Sequence, residues 1–281
     1  MEIKLAKHSG FCFGVKRALA KTIDLLERGD ESVYSIGDLI HNPQVVNELK
    51  MKGLRIVEGL KGIKSGVIII RAHGFPPSLI DQAKRRGLKL LDTTCPFVKR
   101  AQNILRWLDG EGYKLIIVGD KGHPEVKGLL GFARNGILVV ERPQDVKRLN
   151  LEGVKKVGLL AQTTQSKEDF QAVANELIKD GSFELRIFNT ICEAVAFRQD
   201  EARNLAKKCD LMLVVGGKRS ANTRTLTKLC RREGTKVYHI EGPDDLDPNW
   251  IRRRKRVGII SGTSTPQRLI GEVMNRLKGR G

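Results

Sequence analysis

Three cysteines recur in one local setting: Cys12 begins C-F-G-V, Cys95 begins C-P-F-V and Cys192 begins C-E-A-V. All three read C-x-x-V. They stand 83 and 97 residues apart, with 89 residues following the last. Lys-Arg follows the valine in the first two copies, and Ala-Phe-Arg in the third. A repeat of this length means that one supersecondary unit has been used more than once. A second register agrees. Gly37-Asp38-Leu39-Ile40-His41, Gly119-Asp120-Lys121-Gly122-His123 and Gly216-Gly217-Lys218-Arg219-Ser220 align without gaps. In a third register, six residues separate Val67 from His73, Val157 from Thr163 and Val257 from Thr263. Thr164 and Ser264 continue those loops with polar side chains.

Between these landmarks, apolar runs alternate with amphipathic stretches. VIIIRA (67–72), KLIIVG (114–119), KVGLLA (156–161), LMLVVG (211–216) and RVGIIS (256–261) read as buried strands, and 96–109, 166–179, 194–208 and 265–278 as helices. That order predicts an α/β fold of three similar units with mostly parallel sheets around a pseudo-threefold axis. The expected units are 14–96, 97–193, and 194–281 together with 1–13. Each offers one thiol and two polar loops after strands, where parallel sheets bind ligands.

Five cysteines, an odd number with no C-x-x-C pair, argue against a disulfide framework, a zinc ribbon or a ferredoxin-type cluster motif. Cys209 and Cys230 fall outside the repeat and read as small buried apolar residues on helix faces. For Cys12, Cys95 and Cys192, a buried-hydrophobe reading does not explain three matching placements. Three thiolates suit zinc if a histidine completes the set, or a [4Fe–4S] cluster with one iron lacking a protein ligand, which oxidation would convert to [3Fe–4S]. Gly10 and Gly14 flank the first cysteine and allow close backbone approach.

Three of the five histidines, His41, His73 and His123, sit on repeat-equivalent loops, which makes them candidate donors to an anion. Ser220, Asn222, Thr263 and Ser264 add neutral donors, and each loop precedes a helix whose amides favour phosphate. Several donors around one point predict a diphosphate. Pro43, Pro124 and Pro266 stand near helix starts. Glu125, beside His123, is the acid within these loops; burial would hold it protonated, fit for general-acid work. Thr163 and Thr164 are placed to orient it or a substrate hydroxyl, and Ser166 reads as a helix cap. No Walker loop or dinucleotide fingerprint appears.

The formal charge is +19, from 51 Lys and Arg against 32 Asp and Glu, while aromatic residues make up only 5%. Without an aromatic-basic strip, a solvated basic surface explains most of this excess and nucleic acid is not expected as a partner. No apolar run is long enough to span a bilayer, and the start MEIKLAKHSG lacks a secretory apolar core, so a cytoplasmic protein is expected.

FCFGVKRA, HNPQVV, RAHG, DTTCPFV, GHPEV, AQTT, NTIC and the SxN and TSTP pair, in this order along nearly the whole chain, resemble the LytB/IspH family of 4-hydroxy-3-methylbut-2-enyl diphosphate reductases. The resemblance implies reductive removal of the hydroxyl of (E)-4-hydroxy-3-methylbut-2-enyl diphosphate to give isopentenyl and dimethylallyl diphosphate, the last step of the non-mevalonate isoprenoid pathway. It implies an iron–sulfur cluster on Cys12, Cys95 and Cys192. Diphosphate contacts fall to His41, His73, His123, Ser220, Asn222 and Ser264, with Thr163 and Thr164 beside the substrate. Proton delivery falls to Glu125 with His123 and Thr163. Ala221 stands where the family often has a second serine, which removes one donor. An external one-electron donor such as ferredoxin or flavodoxin and a monomeric chain are expected. The rival readings are a quinolinate-synthase-like dehydratase, a basic RNA-binding protein with structural cysteines, and a cluster serving only as a redox or iron sensor.

Overall fold

The computed structural model describes residues 1–180 and 182–279. The first third of the chain carries β1 (Glu2–Leu5), α1 (Phe13–Arg28), β2 (Val33–Ile36), α2 (Pro43–Met51), β3 (Arg55–Val57), β4 (Val67–Ile70), α3 (Pro77–Arg85) and β5 (Lys89–Asp92). The second carries α4 (Pro96–Gly110), β6 (Lys114–Val118), α5 (Pro124–Leu130), β7 (Ile137–Val140), α6 (Pro143–Val146), β8 (Lys156–Ala161), α7 (Lys167–Asp180) and β9 (Glu184–Phe188). The last carries α8 (Glu193–Ala206), β10 (Leu211–Val215), α9 (Ala221–Arg232), β11 (Lys236–Ile240), α10 (Pro248–Ile251), β12 (Arg256–Ser261) and α11 (Gln267–Lys278).

The strands form three four-stranded sheets with one shared order: β3-β2-β4-β5, β7-β6-β8-β9 and β11-β10-β12-β1. Every pairing is parallel. In the last sheet the fourth place is filled from the beginning of the chain, with Glu2 opposite Arg256 and Leu5 opposite Ile259.

The chain packs as two compact units. One comprises Met1–Lys16, Ile40–Glu48 and the chain from Glu193 onward; the other comprises Arg17–Leu39 and Leu49–Cys192. In the first, side chains alternate across the sheet. Leu211, Leu213, Val215, Val257 and Ile259 meet Leu269, Val273 and Leu277 of α11. Met212, Val214 and Ile260 meet Ala202 and Ala206 of α8 and Leu226 of α9. Both faces are covered, which is why these strands read as unbroken apolar runs. Cys230 lies in that second layer on α9, and Cys209 lies beside it in the turn after α8, not on a helix face. Burial raises both thiols, Cys230 to about 12.

The second unit holds the other two sheets. Ile116, Val118, Val157 and Leu159 pack on Phe170, Val173 and Leu177 of α7. Leu115, Ile117 and Leu160 pack on Ala101, Leu105 and Leu108 of α4 and on Val126 and Leu129 of α5. Truncating one of these fully buried leucines to alanine costs about 2–5 kcal/mol. No helix among the described residues is long and apolar enough to cross a membrane.

Candidate functional site

Each of the three repeated cysteines is the last residue before a helix: Cys12 before α1, Cys95 before α4 and Cys192 before α8. Each backbone N–H donates across to the loop that follows the neighbouring strand. Cys12 bonds to the Thr263 carbonyl, Cys95 to Ala72 and Cys192 to Thr163, each at 3.0 Å. The sulfur atoms therefore stand at helix N-termini, whose partial positive charge complements metal-bound thiolate. Cys12 and Cys95 are half-buried and Cys192 is buried.

These three hydrogen bonds also correct the third sequence register. They make Ala72, Thr163 and Thr263 equivalent, so His73 matches Thr164 and Ser264. The strands explain the one-residue slip: Val67 stands three residues before the end of β4, whereas Val157 and Val257 stand four before the ends of β8 and β12, and the loops are set from the strand ends. The second register shifts as well. Asn42, His123 and Ser220 are the residues whose carbonyls close the first turns of α2, α5 and α9, accepting from Val46, Lys127 and Arg224. Asn42 Oδ1 also accepts from the Val45 N–H at 3.2 Å, as Ser220 Oγ accepts from Thr223 at 3.3 Å. Asn42, 2% exposed, is thus the cap that matches His123 and Ser220, and His41 precedes it. The Asn-Pro pair in HNPQVV, parallel to His-Pro in GHPEV, carries that signal in the sequence.

Cys12 is held from both sides within its unit. Gly10 adopts φ +95°, a left-handed conformation suited to glycine. Its N–H donates to Ser261 Oγ at 2.7 Å, and its carbonyl accepts from Arg198 Nη2 at 2.7 Å. Arg198, 4% exposed, also donates to the Ala194 carbonyl at 2.9 Å, so α8 grips the approach to the cysteine. Gly14, by contrast, is the second residue of α1 and takes no part in the turn.

The same unit carries the neutral donors. Ser220 caps α9, Ala221 opens it and Asn222 follows. Asn222 is 2% exposed, and both polar atoms of its carboxamide are buried without a partner among the described residues. Leaving such a group unmatched costs about 1–3 kcal/mol, which a polar ligand would recover. Ser264 Oγ donates to the His41 carbonyl at 3.2 Å and belongs to the same loop cluster.

In the second unit, Glu125 is 2% exposed at the start of α5. Oε1 accepts the Thr163 N–H at 2.7 Å and Oε2 accepts the Thr163 hydroxyl at 2.6 Å. Burial drives the carboxyl up to about 7, against the two bonds from Thr163, which favour the charged form. The Glu125 N–H donates to His123 Nδ1 at 3.2 Å, which leaves Nε2 as the protonated nitrogen of a neutral ring. His123 and His73 meet edge to face with ring centroids 5.4 Å apart. Thr164 Oγ1 accepts from Gln162 Nε2 at 2.8 Å, while Gln162 Oε1 accepts from the Asp120 N–H at 3.0 Å. Ser166 Oγ accepts from the Asp169 N–H at 3.0 Å, the cap of α7.

The donor chemistry fits an iron–sulfur cluster: three thiols in one shared setting, with Cys209 and Cys230 sunk in apolar packing. The unmatched Asn222 carboxamide fits an anion with several acceptor oxygens. Comparison with known proteins agrees in kind. Residues 3–278 match the family model for LytB protein. A 4-hydroxy-3-methylbut-2-enyl diphosphate reductase of Geobacter sulfurreducens is 45% identical over 278 residues, covering 99% of this chain and 97% of that protein. A protein of the same name from Trichlorobacter lovleyi is 43% identical over 277 residues, with 99% and 98% covered. Two solved structures are similar across 99% of the chain. One is of (E)-4-hydroxy-3-methyl-but-2-enyl diphosphate reductase, described as the terminal enzyme of the non-mevalonate pathway (41% identity, TM-score 0.71, all of that chain covered). The other is the E-1-hydroxy-2-methyl-but-2-enyl-4-diphosphate reductase from Plasmodium falciparum (28% identity, TM-score 0.93, 88% of that chain covered). With a full-length family match and relatives above 40% identity, the chain belongs to the LytB protein family.

Proposed function

We propose that this chain is a 4-hydroxy-3-methylbut-2-enyl diphosphate reductase whose three sheet-bearing thirds each contribute one cysteine to a single [4Fe–4S] cluster. The observation that carries the reading is the shared setting of Cys12, Cys95 and Cys192, each bonded at 3.0 Å to a matching loop. The full-length resemblance to named reductases supports the substrate and the reaction.

The reaction adds two electrons and two protons to the allylic alcohol and releases water, leaving isopentenyl or dimethylallyl diphosphate. When bound, the cluster supplies the electrons and a Lewis-acidic corner. Glu125 keeps a proton up to about pH 7, because burial penalises its anion more than Thr163 stabilises it. It gives that proton toward the hydroxyl leaving as water, with Thr163 fixing both carboxyl oxygens and His123 alongside. His41, His73, His123, Ser220, Asn222 and Ser264 bind the diphosphate, and Thr164 stands beside Thr163 to position the substrate. Ala221 contributes no side-chain donor. The basic excess favours an acidic one-electron carrier such as ferredoxin or flavodoxin. A monomer acting in the cytoplasm completes the proposal.

Anaerobic iron and sulfide quantification, with Mössbauer and EPR spectra recorded with and without the allylic diphosphate, tests the cluster. Turnover of that diphosphate tests the reaction. Four irons per chain, a substrate-dependent spectrum and both products are expected. A colourless protein after anaerobic purification from iron-replete cells would overturn the reading.

A further inference from the structure

The strands β3, β7 and β11 occupy the same edge of their three sheets, and the N–H groups of Gly37, Gly119 and Gly216 bond to the carbonyls of Val57, Val140 and Ile240. The residue before each acceptor is therefore at one shared station: Ile56, Val139 and His239. Two are apolar and unable to donate. The third is a half-buried histidine whose Nε2 lies 2.8 Å from the Gly216 carbonyl. A carbonyl only accepts, so Nε2 carries the proton. Burial, the larger influence, lowers His239 below the usual histidine range despite the bond to Gly216, and a neutral ring keeps this single N–H for that bond.

The turn it grips is closely held. Gly216 has φ +152°, and a Cβ there would fall 2.7 Å from Thr223 Oγ1 and 2.8 Å from Thr265 Oγ1. A Cβ on Gly217 would fall 2.3 Å from the His41 carbonyl oxygen. The Lys218 N–H donates to Glu241 Oε1 at 2.7 Å, so β11 and the residue after it hold the turn at two places. Between them lies the Gly216–Gly217 peptide. It is trans, so its C=O and N–H point in opposite directions. With the carbonyl turned back to His239, the Gly217 N–H points away from β11. Gly217 is buried, and its N–H has no acceptor among the described residues. It belongs to the turn that leads into Ser220 and Asn222, where a carboxamide is likewise buried and unmatched.

We propose that the Gly217 N–H is a further donor to the anionic end of the substrate, and that His239 is the positioning residue that aims it. The inference rests on the proposed reading of this turn as an anion site. It also accounts for a loop that lacks a side-chain donor at Ala221, since a backbone amide needs no side chain to serve phosphate.

The test uses inorganic pyrophosphate with the full, anaerobically purified chain. In the 15N-labelled parent, the Gly217 amide proton moves downfield on saturation. His239→Leu binds pyrophosphate about tenfold more weakly, and in turnover the loss falls on KM more than on kcat. His239→Gln, whose carboxamide can still donate to Gly216, recovers most of the affinity. The inference is overturned if the parent binds pyrophosphate with Ser220 and Asn222 signals moving and Gly217 still, or if a folded His239→Leu binds as tightly as the parent. If His239→Leu does not fold, the Gly217 signal in the parent decides alone. No pyrophosphate binding by the parent would overturn the anion reading of the turn itself, and this inference with it.

Discussion

Thr163 gives both of its donors to one carboxyl group: its N–H reaches Glu125 Oε1 at 2.7 Å and its hydroxyl reaches Oε2 at 2.6 Å. The residue that fixes the acid is also the one whose carbonyl accepts the Cys192 N–H. Thr163→Val removes the hydroxyl and keeps the backbone bond. Because that hydroxyl lowers the Glu125 pKa, its loss moves the pKa further up. Turnover should fall about tenfold, with the alkaline limb of the pH–rate profile displaced to higher pH. A profile with an unmoved limb would separate Thr163 from the acid.

Glu125→Gln keeps the shape of the group and removes its proton. Turnover should drop by about 10²–10⁴ while affinity for the diphosphate is retained. In the parent, turnover should hold on the acid side and decline above about pH 7, where the carboxyl loses its proton. Stopped-flow rates in the two proteins across pH 6 to 9 check both statements.

The same burial makes Glu125 a source of pH-dependent instability. Its folded pKa of about 7 lies above the ordinary value of 4.5. The stabilising contribution is complete below the unfolded pKa and is lost as pH rises through the folded one. The parent should thereby lose on the order of 3 kcal/mol from this group between acid and alkaline pH. Glu125→Gln should lack that loss, so urea unfolding at pH 5 and pH 8 should show the variant gaining on the parent at the higher pH.

Replacing any one of Cys12, Cys95 and Cys192 with serine should lower bound iron per chain and bleach the visible absorption of anaerobically purified protein. Cys230→Ala should retain the iron, because its thiol is fully buried and held protonated up to about 12. Iron retention in all three serine variants would disconnect these cysteines from the metal.

Turnover driven by an acidic protein donor should fall as salt rises, through screening of the basic surface. Turnover driven by a reduced viologen dye should respond less. Equal salt sensitivity with both donors would remove charge steering from the account.

The central strands and the long helices were legible because each strand is buried on both faces and each helix shows one apolar stripe. KVGLLA and RVGIIS match β8 and β12 to the residue. The edge strands were not. Lys89–Asp92 and Glu184–Phe188 mix charged with apolar residues because, among the described residues, one side of each has no neighbouring strand. The candidate acid was readable from GHPEV, but its partner geometry was not: only folding shows that Thr163, 38 positions away, takes both carboxyl oxygens. His73 and His41 fall one residue out of register in a repeat count. Such a count cannot see that Val67 stands one residue nearer the end of β4 than Val157 and Val257 stand to the ends of β8 and β12. Nor can it see that the loop from Gly37 to the cap Asn42 is one residue longer than those from Gly119 to His123 and Gly216 to Ser220. Asn42 and His239 were overlooked. An asparagine before proline reads as an ordinary cap, and a histidine in an edge strand reads as surface until its carbonyl partner is known.

Residues 2–5 are paired with residues 256–259, 254 positions further along the chain. The sheet that carries Ser220 and Asn222 therefore closes only through a highly non-local contact, and the segment bearing Cys12 is fixed by the same closure. The loop that bears Cys12 thus depends on a pairing between segments more than 250 positions apart.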